Sequence, residues 1–263
     1  MEVHHPHHAT HKKNWRAYLL EFFMLFFAVS LGFLAENMRE TYIEKEREHE
    51  LARSLYQEMR ADSIDLEKVI AFRIKKENYL DYLYVNFKGD SDNDSIQKTF
   101  QVAEYIGVGA NSATLFEPRN AIIHQLESSG MMRYFKDDVL QADLHDIINM
   151  GDKVRMRTNI EIDIYQRFIM PLSIKYRNTD FQRDFLQMES SGKSIAEQME
   201  EYLNSERVFK YPKRRITEED LLTMHRSFEI YRFILLATRK SQFQQYKMVN
   251  AKLLKDLRSH YYL

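Results

Sequence analysis

The chain has 263 residues, with 38 Lys plus Arg against 39 Asp plus Glu, a balance that excludes a global electrostatic attraction to nucleic acid. It contains no cysteine, which removes disulfides, thiolate nucleophiles and Cys-based zinc or iron–sulfur sites together. Seven Gly and four Pro fall well under the usual proportions of roughly 7% and 5%, so helix is favoured almost throughout.

Residues 1–16 read as a polar tail. His4, His5, His7, His8 and His11 lie in it around Pro6, and imidazoles of this kind can bind a divalent transition metal. Nothing in the tail fixes a ligand geometry, so adventitious binding or none is expected. No cofactor is expected either.

Residues 17–35, AYLLEFFMLFFAVSLGFLA, form an apolar run broken by one charge, Glu21, with Trp15 and Tyr18 at interfacial level. As a helix it covers roughly 28 Å, close to a hydrocarbon core of about 30 Å. The uninterrupted part, Phe22 to Ala35, also suits the core of a cleaved signal peptide, but bulky Phe33 stands where cleavage wants a small residue. An uncleaved anchor is therefore expected. Ala28 and Gly32, four apart, would allow close approach of a second helix, and Glu21 would reach for the headgroups, stay protonated, or face a polar partner on that helix.

Lys12, Lys13 and Arg16 before the span equal Arg39, Lys45 and Arg47 after it in number. The first set lies closer, which points to an N-terminus in the cytoplasm and a periplasmic domain. Just past the run Glu36, Glu40, Glu44 and Glu48 recur every four residues, each about 40° round the helix from the last. They read either as a solvated face, with Arg39 and Arg47 beside it, or as an acidic collar that concentrates cations or docks a basic partner once copies assemble.

The remainder, 36–263, is expected to be one helical domain. A long helix over 36–87 carries Leu55, Met59, Leu66, Val69, Ile70, Leu80, Leu83 and Phe87 at helical steps, with room for a break near Asp62. Lys88 to Asp94 is a loop. Short helices follow within 95–130, the second opened by Pro118 and closed by Gly130 in the left-handed conformation. A helix over 137–177 carries Leu140, Leu144, Ile147, Val154, Tyr165, Ile169, Leu172 and Tyr176 and is expected to kink at Pro171. After a short helix over 194–207, Thr217 and Asp220 form a capping-box-like start to a helix over 217–262 with no break in it. The fold class is therefore all-α: one N-terminal transmembrane helix followed by an elongated antiparallel helical bundle.

Reactive motifs are missing. Gly107-x-Gly109 lacks the third glycine of a dinucleotide fold and any phosphate-loop lysine, and neither H-E-x-x-H nor G-x-S-x-G occurs. Lys210, Lys213, Arg214 and Arg215 around Pro212 read as a solvated basic turn, and His124, His145 and His225 as packed or surface residues on amphipathic helices.

Two stretches together resemble an uncharacterised family of bacterial single-pass membrane proteins. The first is the His-rich start with its span ending Gly32-Phe33-Leu34-Ala35-Glu36-Asn37. The second is the central Leu126-x-Ser128-Ser129-Gly130 followed by Arg133, where Met131 and Met132 depart from the aliphatic residues usual after the glycine. The resemblance implies one span in a bacterial inner membrane and supplies no catalytic residue. Two functional classes stay open on the sequence. One is a non-enzymatic, membrane-anchored scaffold, sensor or interaction module, whose partners are the lipid bilayer and further copies or other membrane and periplasmic proteins. The other is a subunit of an oligomeric ion- or proton-handling complex with Glu21 in the membrane.

Overall fold

The computed structural model describes residues 15–87, 114–176, 179–180, 183 and 216–263. The His tail, the glycine-rich stretch at 107–109, the basic turn at 210–215, the first of the helices expected within 95–130 and the helix expected at 194–207 lie outside these residues. The described residues are helical, with no strand among them. In chain order they form α1 (Trp15–Phe87), α2 (Ala121–Ser128), a 3-10 turn (Met131–Tyr134), α3 (Asp138–Ile164) and α4 (Met170–Tyr176), then α5 (Glu218–Thr238) and α6 (Gln244–Tyr261). Two π-helical segments, Tyr165–Ile169 and Arg239–Phe243, join α3 to α4 and α5 to α6.

The chain divides into two compact units, Met1–Leu51 and Ala52–Leu263, and the boundary falls inside α1. In the first unit α1 carries an 18-residue window of mean hydropathy 2.0, none of it buried. Phe22, Leu25, Phe27 and Phe33 are among its exposed apolar residues. Among the described residues none buries them, and by length and composition this helix is apolar enough to cross a membrane.

In the second unit α3 packs along α6 and against α5. One core cluster joins Leu80 of α1, Ile169, Leu172 and Tyr176, and Met224, Phe228, Tyr231 and Leu235 of α5. Leu55, Met59 and Leu66 of α1 and Tyr246, Leu253 and Leu257 of α6 are also buried, so the helical stripes written in the sequence are the faces that close the core. Val69, Tyr165, Leu221 and Val249 of those stripes are only partly covered.

Helix ends follow local chemistry. Asp137 accepts from the Val139 and Leu140 N–H groups, both at 2.9 Å, and starts α3. Thr217 Oγ1 accepts from the Asp220 N–H at 3.2 Å and donates to the Asp220 carboxylate at 2.6 Å, which starts α5. Gly130 follows the end of α2 with φ +67°, the left-handed region that glycine occupies without cost. Gly130→Val is expected to lower the unfolding free energy by more than about 1 kcal/mol, measured by urea titration. A midpoint equal to the parent's would remove this role.

Four expectations are corrected. α1 runs through Asp62 without a break, because that carboxylate turns inward and is satisfied by other elements. Pro118 does not open α2: residues 115–120 are irregular, and the helix begins at Ala121. The irregularity expected at Pro171 is a π segment ending just before it, where the Met170 N–H reaches back to the Tyr165 carbonyl; the missing Pro171 N–H and its ring crowding are absorbed by one wider turn. The final helix is also interrupted, at Arg239–Phe243, with neither Gly nor Pro to announce it.

Candidate functional site

Along α1 the core-facing positions three and four residues apart are not all apolar. Asp62, Arg73, Lys76 and Glu77 share the stripe of Met59, Leu66 and Leu80, and all four are buried. A charge at such a position must be paired or neutralised, and each partner comes from another segment.

Arg73 is the centre. Its guanidinium forms a fork on Glu161 of α3, with Nη1 donating to Oε1 at 3.0 Å and Nη2 to Oε2. Nε donates to the Thr114 carbonyl at 3.0 Å, and Nη1 also donates to the Leu235 carbonyl at 3.1 Å. The Phe243 ring lies 4.4 Å beneath the guanidinium carbon, a stacking that suits a weakly hydrated cation. One side chain therefore ties α1 to the 114–120 segment, to α3, to the end of α5 and to the second π segment. One turn on, Glu77 receives Arg239 through Nε at 2.7 Å and Nη2 at 2.6 Å. The second π segment thus presents both Arg239 and Phe243 to α1, and π-bulges of this sort cluster at functional places.

Lys76 lies beside this centre, donating to the Thr114 hydroxyl at 3.3 Å and the Tyr231 hydroxyl at 3.0 Å. Burial pushes its ammonium down to about 7, Arg73's charge adds to the effect and Glu161 opposes it. The unfolded chain, with an ordinary lysine near 10.5, binds more protons than the folded one between these values. Stability should therefore rise with pH from about 7 towards 10, and then fall as the Tyr231 and Tyr246 hydroxyls, pushed up chiefly by burial, hold their protons in the fold. Lys76→Met is expected to flatten the rising limb, read from urea midpoints across the pH series. A limb of unchanged slope would show that Lys76 does not cause it.

A second polar centre lies nearer the start of the domain. The Asp62 side chain accepts from Tyr246 Oη at 2.6 Å, Arg119 Nη1 at 2.8 Å and the Arg119 backbone N–H at 3.1 Å. Burial pushes this carboxyl up, while the Tyr246 and Arg119 hydrogen bonds pull it down. Glu58 Oε2 accepts the Ile122 N–H at 3.2 Å, so a carboxylate of α1 meets the first turn of α2. Arg119 also bridges to Asp65.

Over this centre, α2, residues 118–120, α3 and α6 enclose a cleft of about 210 Å³, partly open to solvent. Ile123, Ile147 and Ile148 give it an apolar wall, whereas Arg119, Arg155, Glu127 and Asp152 bring both signs of charge to it. Arg155 Nη2 donates to Asp152 at 2.8 Å and Nη1 to the Pro118 carbonyl at 3.4 Å.

The structure places the residues singled out in the sequence elsewhere. Glu21, Ala28 and Gly32 are exposed on α1 in the first unit, and a Cβ at Gly32 would meet nothing within 4 Å. Of the acidic stripe, Glu36 pairs with Arg39 at 3.0 and 2.5 Å, which holds its carboxyl below the usual range. Glu40 is exposed, and Glu44 and Glu48 are partly covered. His124 and His145 are exposed and His225 is half-buried. Among the described residues no group of three or more His, Asp or Glu side chains is set to hold a metal ion, and His4, His5, His7 and His8 lie outside them. No sequence motif singles out the buried set of Asp62, Arg73, Lys76, Glu77 and Glu161. Its signal was there, as charges standing at core positions of otherwise apolar stripes. Set beside models of known families, curated proteins and solved structures, the chain matches none of them.

Proposed function

We propose that this protein is a non-enzymatic, single-pass membrane anchor carrying a helical interaction or sensor module, with its N-terminus in the cytoplasm and the domain in the periplasm of a bacterium. The observation that supports this reading is the composition of α1. Its first part is uncovered and apolar, with mean hydropathy 2.0 over 18 residues, and its later part carries the ion pairs around which the second unit is built. On this reading the helices after the span form an antiparallel bundle, and self-association runs through the face of Glu21, Ala28 and Gly32, where small residues allow close approach.

Fusion of reporters after Leu263 tests the topology. A periplasm-active reporter should give signal and a cytosol-active one should not, and the opposite pattern would invert the orientation. In the same membranes, Gly32→Leu should abolish the cross-linked dimer that the parent gives. If parent and variant cross-link alike, that face is turned to lipid.

A further inference from the structure

We infer that the cleft between α2, α3 and α6 is a binding site for a small zwitterion of the free α-amino acid class. The inference rests on the reading of the domain as a binding module and adds a ligand to it.

Size sets the first limit. At about 210 Å³ the space lies below the range of about 300–1,000 Å³ usual for drug-sized ligands, so it fits a small metabolite. Charge sets the second. Arg119 and Arg155 line the cleft together with Glu127 and Asp152, so a simple anion would meet two carboxylates and a simple cation two guanidinium groups. A molecule bearing both a carboxylate and an ammonium satisfies both sets.

The guanidinium groups are held in place and still have donors to offer. Each carries five N–H groups. Arg119 gives two of them to Asp62 and Asp65, and Arg155 gives two to Asp152 and the Pro118 carbonyl. Fixed by these bonds, both lose little freedom on meeting a ligand carboxylate. Glu127 is exposed on α2 and lines the cleft, and its carboxylate is the acceptor for the ammonium group. The isoleucine wall takes an aliphatic or small side chain.

Gly151 supplies an observation independent of charge. It is buried in the middle of α3 and lines the cleft, although a glycine inside a helix is less stable there than alanine. Packing does not require it: a Cβ would lie 3.5 Å from Arg155 Nη2 and 3.8 Å from Pro118 Cβ, both ordinary contacts. What the missing methyl leaves open is the space beside Arg155 on the cleft side, where the ligand carboxylate is placed.

The test uses the full chain in detergent, with the proteinogenic amino acids as single probes, each beside its N-acetyl and its carboxamide derivative. Thermal unfolding and calorimetric titration are the readouts. At least one free amino acid should raise the unfolding midpoint saturably and bind one to one, and both blocked forms should bind about tenfold more weakly or worse. Gly151→Ala should raise the ligand-free midpoint yet weaken binding by about tenfold, a combination that damage to the fold cannot produce. Exposed Glu127→Gln should weaken binding to a similar extent, about tenfold, with an unchanged ligand-free midpoint. Failure of every free amino acid to bind overturns the inference. So does an N-acetyl form that binds as well as its parent, since the site then takes an anion, or a carboxamide that does, since it then takes a cation. Undiminished binding to Gly151→Ala overturns it as well. None of these results bears on the reporter pattern, which tests the anchor separately.

Discussion

Glu161→Ala is expected to lower the unfolding free energy of the unit Ala52–Leu263 by about 3–5 kcal/mol, the cost of stranding a buried charge. Arg73 and Glu161 have side-chain exposures of 0% and 1%, so solvent cannot replace the lost carboxylate. The Thr114 and Leu235 carbonyls still accept from the guanidinium, but neither carries a compensating charge. For a domain of this size the midpoint should fall by on the order of 10 °C. The double variant Arg73→Met, Glu161→Leu should recover a large part of the loss, because it strands no ion. It should not recover all of it, since two carbonyls lose a donor. Urea titrations of the three proteins give the comparison, and a Glu161→Ala midpoint within about 1 kcal/mol of the parent would mean that this pair does not organise the domain.

Removing residues 1–35 should convert the protein from one that stays in the membrane pellet under alkaline carbonate to one found in the soluble fraction. The removed part contains the apolar run, whose Phe22, Phe26, Leu31 and Phe33 are exposed at 53–74%, and no other segment has a comparable window among the described residues. The compact unit Ala52–Leu263 lies wholly within the remaining chain. Its urea midpoint should therefore match that of the full protein in detergent. If the shortened chain remains in the pellet, attachment to the membrane comes from another surface; if carbonate releases the full chain, the run is not a span.

The two units differ in how far local sequence specifies them. An apolar run long enough to cross a bilayer is recognisable because length and hydropathy are summed along one helix. The same holds for helix starts and stops: Thr217 with Asp220, and Gly130 after Ser129, act through bonds and dihedrals within a few residues. The apolar stripes on α1, α3 and α6 were legible for a related reason, since a helical period is a local property.

Tertiary structure decided the rest. Asp62, Arg73, Lys76, Glu77 and Glu161 sit at core positions whose period the sequence displays, but their partners are far away in the chain: Arg73 meets Glu161 across 88 residues and Glu77 meets Arg239 across 162. Ion pairing depends on where helices come to lie, which no short window specifies. The second π segment has the same origin. Nothing in Arg239–Phe243 breaks a helix, yet the extra residue in its turn accompanies the placing of Arg239 on Glu77 and Phe243 under Arg73. The cleft, too, exists only because Arg119, Gly151 and Tyr246, from three separate segments, enclose one space. The helical character of the described residues, the apolar run and the helix ends follow from the sequence alone, because these are governed by short-range dihedral, hydrogen-bond and solvation preferences. Which charges are buried, what they pair with and where a cleft opens are set by the packing of distant helices.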